Sequence, residues 1–420
     1  MIDKVVQKTV IYNTSVQFLG QIASVLLSLV SVGLLTRYLG QSGYGNYTLV
    51  FTYLSFFSLI ADIGFNVTLV REFSRSKNIS QNVKATFLNL KLILILASTL
   101  LSVVVLLFFP YSSHIKVAIV IGAVAVAFSN MISYGTSILQ SRLRLDLVAL
   151  IEFATKIITV VAVIYFVYTK AHFYYIISSI LLGNLTGFVI TIYLTRDFLV
   201  LKLSIDRTIL RKLFKIALPL GVTSVLSLLY FKVDTLMLSV MKTPYDVGIY
   251  GLAYNVLENI LMLWGLFMAS IFPLLSQYHG DKDVSRYKDL LKKTLLLLVV
   301  MSIGIIFFGN VFDYLIMRIL GGSKFFASML PLKILLIAVP FLFLNNVFYS
   351  VIISFGKTKF LIVPYLLALS VNILMNLYAI PRFGYIGTSA TTVITEVFTS
   401  LTYVVIFISY FKSEIFQFLK

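Results

Sequence analysis

The sequence predicts an all-α polytopic membrane protein with about twelve transmembrane helices, and three observations carry that reading. Hydrophobic residues make up 60% of the 420-residue chain. Charged residues make up only 12%, about half the usage of an ordinary soluble protein, and so few charges cannot cover a surface in water. The apolar residues also gather into runs of about 20 or more, the length at which a helix crosses a bilayer.

In chain order the runs fall at 10–36, 44–70, 85–109, 115–138, 146–169, 173–195, 214–240, 247–273, 293–317, 329–354, 359–380 and 385–411. The opening MIDKVVQKTV lacks the basic, apolar, small-residue order of a cleaved signal, so span 1 is expected to be retained. An even number of spans puts both termini on one side. Lys and Arg favour that side by roughly three to one, and the positive-inside rule then makes it the cytoplasmic face of the cell membrane. Arg71, Arg75, Lys77, Lys84 and Lys91 lie there between spans 2 and 3, whereas Lys116, Lys170 and Arg382 stand alone on the other side. The same rule absorbs the net charge of +18, which in a soluble protein would suggest nucleic acid. No nucleic-acid partner is expected. With no cysteine and three histidines in loops (His114, His172, His279), the chain offers no disulfide framework and no Cys-ligated metal site, and no cofactor is expected.

The longest loop, about 196–215, divides the chain into six-helix halves, 1–200 and 201–420. Its segment SIDRTILRKLFKIA alternates basic with apolar residues, as does DKDVSRYKDLLKK before span 9. Both suit amphipathic helices on the inner membrane surface. YGNY at 44–47 opens span 2 and VGIY at 247–250 opens span 8, an echo of the parallel repeats seen in transporters.

Polar residues inside spans are costly and usually face a cavity or a partner. In span 1, Asn13, Gln17, Gln21, Ser24, Ser28 and Ser31 share one helix face, which fits either helix packing through small residues or a wet lining. Span 2 repeats the pattern with Thr48, Thr52, Ser55, Asp62 and Asn66; span 7 with Thr223, Ser227, Tyr230 and Asp234; and span 8 with Tyr250, Tyr254 and Glu258, flanked by Asn255 and Asn259. These spans lead each half, so their stripes predict two six-helix halves around a central cavity.

The buried charges divide by spacing. Glu152 and Lys156 are four apart and suit an intrahelical pair. Lys232, two residues from Asp234, points nearly opposite to it and either snorkels to the surface or meets an anionic ligand. Glu258 has no basic neighbour on its own helix and desolvation disfavours its charged form, so it is the first candidate for proton or cation coupling. The competing reading is a structural carboxyl held by Lys232 or an amide. Glu396, among Thr388, Thr392, Thr395 and Thr399, is the second candidate. Enzyme readings fail: outer loops are short and pair no carboxylates for acid–base work. Gly356-Lys357-Thr358 resembles a phosphate-loop ending, but Val351 stands where that motif needs Gly.

Three stretches resemble Wzx-type oligosaccharide flippases, the polysaccharide biosynthesis proteins of the multidrug/oligosaccharidyl-lipid/polysaccharide exporter (MOP) superfamily. They are LLTRYLGQSGYGNYTLVFTYLSFFSLIADIGFNVTLVREFSR (34–75), YFKVDTLMLSVMKTPYDVGIYGLAYNVLENILMLWGLFMASIFPLLSQ (230–277) and IPRFGYIGTSATTVITE (380–396). The resemblance implies alternating access, a lipid-linked oligosaccharide on a polyprenyl (di)phosphate as substrate, and coupling to H+ or Na+. Membrane lipids, a polysaccharide polymerase and glycosyltransferases are the implied partners. It also implies basic cavity residues for the anionic head group, for which Lys232, Lys156, Arg37 and Arg71 are available. The lipid II flippases of the same superfamily concentrate arginines on span 1, where this chain has Asn and Gln. Two alternatives stay open: a cation-coupled multidrug efflux pump, with Asp62, Asp234, Glu258 and Glu396 as its acids, and a non-transporting scaffold of a glycan assembly complex.

The charge asymmetry makes a direct prediction, which a chain without cysteines makes simple to test. Single cysteines at Lys116 and Arg382 should react with an impermeant thiol reagent in intact cells, and cysteines at Ser80 and Ile205 should not; the reverse pattern would invert the topology.

Overall fold

The computed structural model describes residues 2–75, 79–200, 202 and 206–411, with the side chains of 2–19, 21, 75, 212–220, 223, 224, 269, 358, 410 and 411 left out. Asn13, Gln17 and Gln21 therefore lie, as side chains, outside the described residues. The regular structure described is helical: α1 (Ile2–Ile60), α2 (Phe65–Arg75), α3 (Gln81–Leu106), α4 (Ser113–Ser141), α5 (Leu145–Tyr168), α6 (Phe173–Thr195), α7 (Arg207–Met241), α8 (Pro244–Gly280), α9 (Val284–Val311), α10 (Asp313–Leu320), α11 (Met329–Ser354) and α12 (Ile362–Ile406). In lipid every backbone donor and acceptor needs an internal partner, which long helices supply.

Two of these helices each contain two of the expected spans. The breaks fall at Gly40 (φ 66, ψ −173) in α1 and Gly384 (φ 53, ψ −134) in α12, conformations that glycine adopts without Cβ strain. Span 2 differs from expectation: it stops at Ile60, turns through Ile63 (φ 32) and Gly64 (φ 70), and resumes as α2. Asp62 builds that restart, since its Oδ1 accepts the Asn66 amide at 3.0 Å. An acidic acceptor before a helix satisfies one of its orphan N–H groups.

The expected surface helices are also corrected. Residues 207–215 form the first turns of α7 and 284–293 those of α9, so both basic amphipathic segments continue into the following span. Asp206 caps α7 through Oδ1, accepting from the Thr208 and Ile209 amides at 2.8 and 3.2 Å.

The chain forms two compact units, residues 1–228 and 229–420. In the first, α4 lies against α6, and α5 against α1 and α6, while α2, α3 and α4 share a buried aromatic group of Phe65, Phe73, Phe87 and Tyr134. In the second, α11 packs on α8, α9 and α12, and Trp264 stacks on Phe343 with centroids 4.3 Å apart. Within each unit, hydrogen bonds between helix ends join segments that the charge pattern puts on one side. In the second unit Lys242 donates to the Pro381 carbonyl (3.0 Å), and in the first Tyr38 donates to that of Ala171 (2.7 Å) at one end. Lys84 donates to the Asp197 carbonyl (3.2 Å) at the other. This is the pattern of helices alternating in direction.

The α5–α6 approach depends on Gly183, where an added Cβ would run into the Thr159 side chain and sit 2.8 Å from the Thr155 carbonyl oxygen. Gly183→Ala should cost about 1–3 kcal/mol by overpacking. Gly304→Ala, where no atom lies within 4 Å, should be neutral or stabilising; equal melting temperatures for the two in detergent would refute the packing argument.

Candidate functional site

In the second unit, polar residues of α7, α8, α11 and α12 converge on two buried carboxyls. Asp234 on α7 is 2% exposed. Its Oδ2 accepts from Tyr250 Oη of α8 at 2.5 Å and lies 3.3 Å from Thr392 Oγ1 of α12. Its Oδ1 accepts the Thr235 amide at 2.6 Å. Glu396 on α12 is 3% exposed. It accepts from Tyr230 of α7 and, at 2.9 Å, from Asn345 Nδ2 of α11, whose Oδ1 in turn accepts from Ser400 at 2.8 Å. Helical spacing explains the pairing, because Tyr230 and Asp234 lie one turn apart on α7, as do Thr392 and Glu396 on α12.

Among the described residues, neither carboxyl has a basic side chain within ion-pair distance. A buried carboxylate held only by neutral donors is expensive as a bare ion. The arrangement therefore suits exchange with a proton or a small cation.

Glu258 is placed differently from the sequence expectation of a lone carboxyl. Lys232, from α7, donates to its Oε1, and both side chains are partly exposed. Lys232 and Asp234, expected from their spacing to point nearly opposite ways, both reach α8, Lys232 at Glu258 and Asp234 at Tyr250 two turns earlier. Tyr254, one turn from Glu258 on α8, donates to the Phe231 carbonyl at 2.8 Å. Its ring stacks on Tyr250 with centroids 5.4 Å apart, and Lys232 Nζ sits 5.5 Å over it. Asn255 accepts from Asn259 Nδ2 through its carbonyl at 2.7 Å.

The first unit holds a polar cavity of about 410 Å³, lined by Ser55 and Ser58 of α1, Asp62, Asn66 of α2, and Ser129, Asn130 and Ser133 of α4, with Phe51 and Leu59 on its wall. The residue that sequence reasoning misplaced is Lys91. Counted as a loop cation, it lies on α3 at 0% exposure, donates to the Ala61 carbonyl at 2.9 Å and reaches Asp62 at 4.0 Å. Spacing offers a signal only in retrospect: Lys91 falls inside an apolar run, a full turn or more past the last loop residue. Arg37 and Arg71 are exposed on α1 and α2. Glu152 and Lys156, both on α5, face each other's charge without an ion pair within 4.0 Å among the described residues.

Comparison with known proteins places these features in a family. The polysaccharide biosynthesis protein family matches residues 10–279, and the MatE family matches residues 219–378. A proposed O-antigen transporter of Shigella flexneri is 20% identical over 407 residues, covering 94% of this chain and 96% of that protein. An uncharacterized membrane protein of Methanocaldococcus jannaschii is 24% identical over 324 residues, covering 71% and 75%. Among solved structures, the lipid II flippase MurJ in its inward closed conformation superposes with a TM-score of 0.72 at 19% identity, over 92% of this chain and 87% of that one. An inward-facing multidrug resistance transporter of the MATE family gives 0.72 at 12% identity, over 91% and 93%. The superpositions show a shared fold, and because the family match runs from residue 10 to 279, the chain belongs to the polysaccharide biosynthesis protein family, the Wzx-type members of the MOP superfamily, and is a transporter rather than an enzyme.

Proposed function

We propose that the protein flips a polyprenyl-(di)phosphate-linked oligosaccharide from the cytoplasmic to the outer leaflet of the cell membrane by alternating access, with both termini in the cytoplasm. A proton or sodium gradient drives it through Asp234 and Glu396. The observation that carries the coupling assignment is the pair of buried carboxyls held, among the described residues, by neutral donors alone. Glu258, already neutralised by Lys232, is better suited to holding α7 against α8. The family match supports the glycan substrate, and so do the hydroxyls and amides that dominate the polar linings, which pair with sugar hydroxyls. Glycosyltransferases supply the lipid-linked substrate and a polymerase consumes it.

A second reading, cation-coupled multidrug efflux, draws on the MatE match over 219–378 and the acidic cluster. Proteoliposomes separate the two readings. A fluorescent lipid-linked oligosaccharide should be turned over, and a fluorescent cationic drug should not be extruded; the opposite result would favour the pump.

In the same liposomes, Asp234→Asn and Glu396→Gln should each lose most of the acceleration produced by an imposed pH or sodium gradient. Glu258→Gln should keep it. Full gradient response in both of the first two variants would overturn the coupling assignment.

Lys232 carries the head-group proposal: a substrate (di)phosphate competes with Glu258 for its ammonium. Lys232→Ala should abolish glycan export in cells, and Lys232→Arg should retain part of it. Normal export by both at equal expression would leave Lys232 a purely structural partner of Glu258.

A further inference from the structure

The polar cavity of the first unit is not used by the coupling cluster, and its chemistry is different. Its free hydrogen-bonding capacity is mixed: carboxylate and amide oxygens accept, and serine hydroxyls can donate or accept. The two amide nitrogens that face it are engaged: Asn66 Nδ2 donates to Ser133 Oγ at 2.7 Å and Asn130 Nδ2 to Ser58 Oγ at 3.1 Å. Asn66 Oδ1, by contrast, is buried without a partner. Such an orphan acceptor costs free energy unless a ligand or water supplies a donor. Asp62, a third exposed by side chain, adds carboxylate acceptors beside it. Lys91, fully buried on the Ala61 carbonyl and 4.0 Å from Asp62 Oδ1, offsets part of that charge but does not line the cavity.

An anionic phosphate finds no cation here and would meet Asp62. An apolar or aromatic ligand would strand the amide and serine groups. A sugar ring fits both demands, since it carries hydroxyl donors around its edge and C–H faces that pack on apolar walls such as Phe51 and Leu59. The volume, about 410 Å³, falls in the range of about 300–1,000 Å³ typical of small-molecule sites. We infer that this cavity is a glycan subsite that holds a neutral sugar residue of the transported oligosaccharide through Asp62, Asn66 and the serines of α1 and α4. The inference rests on the flippase reading above and adds where the sugar, as distinct from the phosphate, is recognised.

Saturation-transfer NMR tests it on the full chain in nanodiscs, with D-glucose, D-galactose, N-acetyl-D-glucosamine and lactose as separate probes. At least one should receive saturation from the unsubstituted protein. Asn66→Leu removes the orphan acceptor, and Ser129→Phe fills the cavity while leaving the Asn66 and Asn130 bonds in place. Each should weaken sugar binding about tenfold, the scale expected for one lost buried hydrogen bond, while Gly304→Ala, at a position with no atom within 4 Å, should leave it unchanged. Melting temperatures check that the variants fold, and Ser129→Leu replaces Ser129→Phe if the larger ring does not. Absence of signal from every probe, or unchanged signal in both cavity variants, overturns the subsite. So does a sodium resonance broadened by the protein and restored by Asn66→Leu without any sugar signal, since the cavity would then be an ion site. Sugar binding that survives while liposomes show no glycan flipping would instead overturn the flippase reading.

Discussion

A charge inside hydrocarbon must find a partner, and the internal chemistry of this protein follows from how each one does so. Central placement of an ionised side chain costs roughly 2.5–3.5 kcal/mol on insertion scales, so the fold answers each charge locally. Lys91 is met by a helix-end carbonyl and by Asp62. Lys232 and Glu258 meet each other, and Asp313 meets Lys333 at 3.0 Å. Asp234 and Glu396 are different in kind, because what surrounds them is hydroxyl, amide and backbone N–H. Groups neutralised by a fixed partner hold helices together. Groups without one are free to exchange a partner with the medium.

The same constraint governs the backbone. Ending a helix inside the membrane exposes carbonyls that lipid cannot satisfy, yet α1 ends at Ile60 and α2 begins only at Phe65. Lys91 is the repair, since its ammonium takes the Ala61 carbonyl. Asp62 serves the other side of the break by accepting the Asn66 amide. The Asp62–Lys91 contact at 4.0 Å then balances the charge of the two repairs. The turn also aims Asn66 and Asp62 towards α4, which an unbroken helix through residue 70 would not do, and so the polar cavity exists because the span is interrupted.

These cases mark what can be read from residues alone. Number, order and approximate ends of the helices follow from apolar run length, and α4, α5, α6 and α11 begin and end within a few residues of expectation. Period alone also found Tyr230, Asp234, Tyr250 and Glu396 as polar positions on helices that lead or close a half. What it could not supply was the pairing. Glu258 reads as isolated when only its own helix is inspected, because its partner arrives from α7, 26 residues earlier. Lys91 reads as a loop cation because basic residues near a span end usually are. The break at 61–64 was signalled by Asp-Ile-Gly, a turn-forming run, but the apolar stretch around it outweighed that signal. Tertiary partners, not local propensity, decided each of these.

Protonation of Asp234 illustrates how such a site can do mechanical work. As a carboxylate it accepts from the Tyr250 hydroxyl and the Thr235 amide, with Thr392 close by. As a carboxylic acid it must donate one hydrogen bond, and Tyr250 and Thr392 can each accept only by rotating their own hydroxyl hydrogens away. Thr392 has an alternative already in place, the Thr388 carbonyl at 3.0 Å. Tyr250 has one on α12, Thr392 Oγ1 at 3.2 Å, and its ring is stacked on Tyr254, whose hydroxyl is fixed to the Phe231 carbonyl of α7. A proton arriving at Asp234 therefore acts first on the bond between α7 and α12, while the tyrosine stack keeps α7 tied to α8. A cation would act in the opposite sense, drawing the carboxylate and the hydroxyl oxygens together as ligands. Under the proposed coupling, proton and cation thus predict different movements of α12 from the same set of residues.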